Sequence, residues 1–373
     1  MYRLSDYREM VLDEVRTPAY VRAIERAVRP GATVVEIGTG FGYFAVVACR
    51  AGASRVYAIE PDPVVHLGPE LARANGCDGR IEFIQNLSTR VSIDPADVLI
   101  SDLRGILPLL GRHIPAIIDA RRRLLKPGGV QIPRRDTIWL ALATDPRPDE
   151  RGAAPVGVDL GPVEHAFVTL WRPRRLEPAD LVSAPAAWQT VDYRTVSSPD
   201  LDGAVELGAE RDGCVHGIGA WFETELHDGC GFSTAPGGPA TVYGHAFFPL
   251  PRPISLRRGQ AVQVRLRAHL VGSEYVWTWQ GTVAEDPSPG GSFAQSTFHA
   301  APLSATRLRR RADRFVPRLG REGQAHAWIL QRMSAAVPLG DIARGAADTF
   351  PDVFADFGEA LRSVADLSEQ FSE

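Results

Sequence analysis

Two carboxylates and two glycines define what this chain could do chemically. Glu36, Gly38 and Gly40 lie in the run Val34-Val35-Glu36-Ile37-Gly38-Thr39-Gly40-Phe41-Gly42-Tyr43, and Glu60 closes Val56-Tyr57-Ala58-Ile59-Glu60. An apolar strand that runs into glycines lets backbone approach a ligand closely, and an acid at the end of the next parallel strand is placed for a ribose diol. The pattern reads as a nucleoside pocket. Its form, E-x-G-x-G-x-G, opens with an acid that a dinucleotide site does not need, where G-x-G-x-x-G brings a helix start to a pyrophosphate. S-adenosylmethionine has a ribose and no phosphate. It is the expected ligand, ahead of a nicotinamide or flavin cofactor and of a tight turn that binds nothing.

A sulfonium methyl is already activated, so the protein must chiefly align an acceptor lone pair and give any acceptor proton somewhere to go. No metal is required. Asp102, expected at the carboxyl end of a fourth strand, is the candidate to orient a cationic or hydroxyl acceptor. His245, two residues after Tyr243, is expected on the same strand face, where it could serve as a base near neutral pH. Tyr20 and Tyr243 are candidates to line the acceptor pocket, since aromatic faces favour a charged amine or the sulfonium. Plainer readings stand beside each: a loop carboxylate or helix cap, a packed barrel histidine, two packed tyrosines with polar tips. Arg104 could pair with Asp102 or attract an acidic acceptor, and Glu36 could fix the glycine loop, touch the donor's amino group or cap the turn. His113, His216 and His227 read as ordinary polar residues of helix and barrel.

These residues must be carried by a sizeable fold. The 373 residues are 45% hydrophobic, enough for a substantial core and for two or three units. A formal net charge of -4 argues against a general nucleic-acid binder. Cys49, Cys77, Cys214 and Cys230 are scattered, without the spacing of a zinc site or disulfide framework, which fits a reducing cytoplasm. With neither a leader nor an apolar run of membrane length, membrane insertion is not expected.

The first part alternates strand and helix as a doubly wound α/β sheet does, with strands expected at 33–37, 55–60, 81–84 and 97–101. Helices are expected over 44–51, 69–75 and 114–125, and Lys126-Pro127-Gly128-Gly129 reads as a turn. From Asp136 the segments shorten and alternate, and 139–143, 166–171, 188–195, 215–224, 243–248 and 261–271 read as antiparallel strands of a barrel or sandwich. Seven arginines between Arg307 and Arg321 precede a helical tail over 326–333, 339–347 and 354–367. Their plainer reading is a solvated face. The expected division is 1–135 for the nucleoside domain, 136–292 for the barrel and 293–373 for the linker and helical unit.

At this point the chain resembles the protein arginine methyltransferases, a family of class I S-adenosylmethionine-dependent methyltransferases, over about its first 285 residues. The resemblance rests on Glu9-Met10-Val11-Leu12-Asp13-Glu14-Val15-Arg16-Thr17-Pro18, on Ser101-Asp102-Leu103-Arg104-Gly105, on Leu125-Lys126-Pro127-Gly128-Gly129 with Ile132-Pro133, and on Gly231-Phe232-Ser233-Thr234-Ala235-Pro236. It implies a Rossmann-like domain followed by an antiparallel β-barrel with a dimerisation arm at about 158–189. By that likeness Arg16 meets the donor's carboxylate, Met10 packs against the donor, Gly38, Gly40 and Glu60 hold backbone approach and ribose, and Thr89 joins the cofactor set. The departures are as informative. The family's two clamp glutamates fall on Asp102 and Gly111, and its threonine-histidine-tryptophan loop on Thr241-Val242-Tyr243. One aspartate cannot reproduce bidentate bonds to both edges of a guanidinium. The helix that opens the family's methyltransferase region is expected to be mostly missing.

The resulting expectation is a cytoplasmic, homodimeric methyltransferase acting on an N or O acceptor of a bacterial specialised metabolite or modified peptide, without nucleic-acid or membrane partners. The alternatives are an arginine methyltransferase with an altered clamp and a non-catalytic nucleoside-binding scaffold.

Overall fold

The computed structural model describes residues 3–145, 158, 163, 166, 168–284, 291–301 and 304–372. They form two compact units, Met1–Ala301 and Pro302–Glu373. The first unit opens with α1 (Leu4–Leu12) and α2 (Arg16–Ala27), then a parallel sheet of β1 (Thr33–Ile37), β2 (Arg55–Ile59), β3 (Ile81–Ile84), β4 (Ala96–Ser101) and β5 (Leu125–Ile132). Its strand order is β3-β2-β1-β4-β5. The expected apolar runs follow from burial on both faces. Val34, Val56, Val98 and Ile100 pack with Tyr20 and Phe44, while Val35, Ile37 and Leu99 pack with Ile114 and Ile117. Those contacts place α2 and α3 (Tyr43–Arg50) on one side and α5 (His113–Arg123) on the other; α4 (Gly68–Ala74) precedes β3.

The second part of this unit is antiparallel. One sheet has the order β7-β12-β10-β6-β8, with β11 paired to β10, and the other β15-β14-β13-β9. The former comprises β6 (Arg135–Ala143), β7 (Arg172–Arg174), β8 (Ala186–Asp192), β10 (Gly213–His227), β11 (Cys230–Ser233) and β12 (His245–Leu256). The latter comprises β9 (Leu201–Gly208), β13 (Ala261–Val271), β14 (Glu274–Val283) and β15 (Ser292–Ser296). Both contribute to one core, with Phe222 and Phe248 from the first and Leu266 and Trp279 from the second.

Several expectations need correction. Lys126–Gly129 is not a turn between elements but a bulge inside β5, since pairing jumps from Ala96↔Leu125 to Val98↔Val130. The strand expected at 166–171 is absent: Ala166 is helical, Val168 and Thr169 lie in a turn, and pairing begins only at Arg172. Phe167 and much of the proposed arm lie outside the described residues. The strand expected from Tyr243 starts at His245, because Gly244 takes the left-handed conformation at φ +66° and breaks the alternation. The first described helix, α1, contains Met10 and so belongs to the segment expected to follow the family's opening helix.

The second unit consists of α6 (Ala305–Arg310), α7 (Arg321–Ser334), α8 (Leu339–Thr349) and α9 (Phe357–Phe371). Its own core joins Ala325, Ile329, Ile342, Ala346 and Val364. Among the described residues, no helix is long and apolar enough to cross a membrane.

Candidate active site

Strand order reverses between β1 and β4, and the crevice beyond their carboxyl ends is where an open parallel sheet binds ligands. A cavity of about 530 Å³ lies there. Gly38, Gly40 and Gly42 have φ of +73°, +57° and +92°, conformations that a side chain strains to adopt. The space beside them is also taken: a Cβ on Gly38 would overlap Leu103, and one on Gly40 would stand 2.9 Å from the Tyr7 ring. Glu60 fixes this loop by accepting from the backbone N–H of Gly40 and of Asp62, both at 3.0 Å. Thr39 Oγ1 donates to Glu36 at 2.6 Å. Burial pushes the Glu36 carboxyl up to about 8, although Thr39 and Arg16 pull the other way. Burial also raises Glu60, against its two backbone bonds.

Opposite the glycines stands an ion network. Arg16, in the first turn of α2, donates from Nε to Asp102 Oδ2 at 2.5 Å and to the Tyr243 hydroxyl at 3.2 Å, and from Nη1 to the Met10 carbonyl at 2.9 Å. Arg104 donates from Nε to Asp102 Oδ1 at 3.0 Å, from Nη1 to Asp136 Oδ1 and Thr224 Oγ1 at 2.9 Å each, and from Nη2 to the Tyr20 hydroxyl at 2.6 Å. Tyr243 completes the set by donating to Asp102 Oδ2 at 2.6 Å. Two guanidinium groups thus face two carboxylates, all nearly shut off from solvent. The Arg104 guanidinium carbon also lies 5.2 to 5.7 Å from the ring centres of Phe222, Tyr243, Tyr20 and Phe232. Such a setting suits a cation. Burial alone would raise Asp102, but Arg104 and Arg16 outweigh it and hold the carboxyl well below the usual range.

The cavity collects Met10, Arg16, Glu36, Gly38, Gly40 and Glu60, as well as Asp102 and Tyr243. Three sequence candidates lie elsewhere. Thr89 is exposed on a short 3-10 turn and is not on the cavity wall, which is formed instead by its neighbours Leu87 and Ser88. Tyr20 is fully buried, stacked on Phe44 at 4.8 Å, and donates to the Ser101 carbonyl at 2.9 Å. It supports the floor beneath the pocket. His245 is separated from Tyr243 by the left-handed Gly244 and borders a neighbouring cleft. Its Nδ1 accepts from Leu176 N–H at 2.8 Å and its Nε2 donates to the Thr234 carbonyl at 2.7 Å. With both nitrogens tied to backbone, and burial lowering its pKa, it is a packed barrel histidine and not a base.

His113, set aside in the sequence as an ordinary helix residue, does stand on the cavity wall. It is 2% exposed, its Nε2 lies 3.1 Å from the Tyr193 hydroxyl, and its Nδ1 has no partner among the described residues. The only available cue was its place eleven residues after Asp102 in the loop that follows β4. Gly111, at the second clamp position, has φ +49° and carries no side chain to offer.

Comparison with known proteins covers both parts of the first unit. Residues 16–133 match the family described as ribosomal protein L11 methyltransferase (PrmA), and 154–271 that of the arginine methyltransferase oligomerization subdomain. A zebrafish (Danio rerio) protein, protein arginine N-methyltransferase 8-B, is 27% identical over 269 residues, covering 69% of this chain and 64% of its own. The arginine N(omega)-methyltransferase of Streptomyces achromogenes subsp. streptozoticus is 28% identical over 268 residues, 69% of this chain and 74% of its own. The chain thus spans about two thirds to three quarters of these two relatives. Among solved structures, the Trypanosoma brucei PRMT1 enzyme-prozyme heterotetrameric complex with AdoHcy superimposes with a TM-score of 0.73 at 21% identity, covering 79% of this chain and 98% of that one.

Proposed function

We propose, for a chain of the protein arginine methyltransferase-like family, that it is an S-adenosylmethionine-dependent methyltransferase whose acceptor is a neutral nitrogen or oxygen of a specialised metabolite or modified peptide. The donor side of the cavity fits the nucleoside. Left-handed glycines with no room for a Cβ leave backbone facing the ligand, and Glu60 keeps lone pairs for a ribose diol. Arg16 uses Nε and Nη1 within the protein, and Nη2 is left for the donor's carboxylate. Glu36 and Met10 line the same cavity, which supports a contact of Glu36 with its ammonium and packing of Met10 beside it. When bound, the donor supplies an activated methyl on sulfur. The chain's part is to hold the acceptor's lone pair in line behind that carbon and to keep water away.

The observation that carries the acceptor reading is the occupation of Asp102 by the chain's own guanidinium groups. Arg16 and Arg104 take both of its oxygens, and Asp136 serves Arg104 as well. A substrate guanidinium would have to displace Arg16, leaving it buried without its carboxylate partner, which costs several kcal/mol, or press Arg104 back onto Asp136 alone. A neutral acceptor carries no such penalty.

The names of the relatives favour a second reading, methylation of arginine itself, as free amino acid or in protein. Incubation of the full chain with labelled S-adenosylmethionine and matched acceptors decides between them: arginine and arginine-rich peptides on one side, imidazole-, phenol- and alcohol-bearing compounds on the other. The expected product carries label on the second group only. Guanidinium methylation would establish the arginine reading, and donor binding with no transfer to any acceptor would point to a scaffold. The oligomerization-subdomain match over 154–271 supports an oligomer, and the reading we propose is a homodimer through the segment at about 158–189. A monomer by light scattering in a preparation with full activity would remove that contact from the proposal.

A further inference from the structure

The matched families end at residue 271, and the segment 305–320 beyond them joins strong charge to exposed apolar side chains. It starts with α6, which Ser304 caps by accepting from the Arg307 N–H at 3.3 Å, and from Val316 to Gly320 it has neither helix nor strand before α7 begins. Arg307, Arg309, Arg310, Arg311, Arg314 and Arg318 stand against a single acid, Asp313, so the segment carries a net charge of +5. The chain as a whole is at -4, which leaves -9 on everything else. Every residue from Ser304 to Gly320 is exposed. Among the described residues, none of the six guanidinium groups forms an ion pair or lies over a ring, whereas the next arginine, Arg321, is tied to Asp352 and packs on Phe350. The acids of the following helices are engaged elsewhere in part: Asp341 pairs with Arg344 and Asp356 caps α9. Leu308, Phe315, Val316 and Leu319 are 52, 40, 81 and 61% exposed. Charge alone would suit a solvated linker. Four large apolar side chains set among the arginines do not serve that purpose, and such a combination marks an interaction surface.

We infer that residues 305–320 form a docking surface for an acidic peptide that carries apolar side chains among its carboxylates. Guanidinium forks take carboxylates through paired hydrogen bonds, which fix direction as well as charge. Leu308, Phe315, Val316 and Leu319 then leave water against the apolar groups of the peptide. Two other polyanions fit less well. A nucleic acid stacks its bases on aromatic rings, and the segment offers one, Phe315. It would also extend past the segment, where the remaining charge of -9 opposes it. An anionic membrane takes an amphipathic helix lying in its surface. Here α6 has only six residues, and the apolar faces of α7, α8 and α9 form the unit's own core. The inference does not rest on the methyltransferase reading. Where the acceptor is a modified peptide, the same contact holds it to the chain and raises its effective concentration.

Two labelled peptides, one of repeated Glu-Glu-Leu units and one of repeated Glu-Glu-Ser units, test this on the full chain. At low salt, fluorescence anisotropy should show the leucine peptide binding about tenfold more tightly than the serine peptide. Binding of both should weaken as salt is raised. Arg309→Glu with Arg310→Glu and Arg311→Glu should weaken the leucine peptide roughly thirtyfold or more, and glutamine at the same three positions should weaken it less. Val316→Ser with Leu319→Ser should bring the leucine peptide down to the level of the serine peptide and leave the latter unchanged. All these side chains lie outside the unit's core, so each variant should keep the circular dichroism of wild type. No binding by either peptide, equal binding of the two, or full binding by the charge-reversed chain overturns the inference. So does tighter binding of oligouridylate or of phosphatidylserine vesicles than of the leucine peptide, which would give the surface to RNA or to a membrane. Failure of the methyltransferase reading shows itself separately, as no S-adenosylhomocysteine formed by wild type from any acceptor, and leaves peptide binding as it is.

Discussion

Glu36 is the residue through which the proposed donor site is most directly tested. Its carboxyl is buried, bonded to Thr39, and pushed up to about 8, so near neutrality it is largely protonated in the free protein. An unfolded glutamate titrates near 4.3, and the native state therefore holds a proton between about pH 4.5 and 8 that the unfolded chain has released. Stability should fall as pH rises through that window. Donor binding should act in reverse: an ammonium brought to Glu36 favours the carboxylate, so binding at pH 6 to 7 should release close to one proton and tighten as pH rises toward 8. Calorimetry in two buffers of different ionisation enthalpy measures this release. It should vanish in Glu36→Gln, and an undiminished release in that variant would move the ammonium elsewhere. The sequence grouped Glu36, Gly38, Gly40 and Glu60, which do line one cavity, because strand, turn and acid are local in the chain. It could not show that Arg104 pairs with Asp136, 32 positions away, or that His113 borders the same space, because both depend on how β6 and β8 fold back over the loop after β4.

Arg104 works between elements. Its guanidinium joins the loop after β4 through Asp102, β6 through Asp136, β10 through Thr224 and α2 through Tyr20. Removing it would leave Asp136 fully buried without its counter-charge and Asp102 with Arg16 alone. Arg104→Ala should cost about 3 to 5 kcal/mol, read from urea unfolding of the first unit, while Arg104→Met with Asp136→Asn should recover a substantial part. A loss below 1 kcal/mol for the single variant would mean that water replaces the cation and that the network is not a fixed part of the site. The parallel strands were placed closely from sequence, since continuous apolar runs bounded by glycine leave little choice. The antiparallel part was less legible for definite reasons. β9 alternates in burial, with Leu201, Gly203, Val205 and Leu207 as its inner row, but Gly203 inside that row and Ala204 outside it hide the pattern in the sequence, and β5 carries a Pro-Gly-Gly bulge that reads as a turn. Only pairing partners settle such segments.

At the scale of the molecule, the helical unit has the attributes of an independent folding unit. Its core residues, from Ala325 to Leu367, all come from the unit itself, and the first unit's three hydrophobic clusters lie wholly before Ala301. The α9 helix is capped by Asp356, which accepts from Glu359 N–H at 2.8 Å, and Arg321 ties the start of α7 to Asp352 through two bonds of 2.6 and 2.7 Å. Every group that forms the cavity belongs to the first unit. Truncation after Ala301 should therefore leave S-adenosylmethionine affinity within about twofold, since no donor contact is removed. Calorimetry on the truncated chain is the direct check. Transfer to the native acceptor is the more telling comparison: an unchanged kcat/KM would leave the arginines from Arg307 to Arg321 a solvated face, whereas a loss confined to KM for a peptide acceptor, with small acceptors unaffected, would assign the unit to holding the substrate. Loss of donor binding itself would show that the first unit does not fold or function independently of the second.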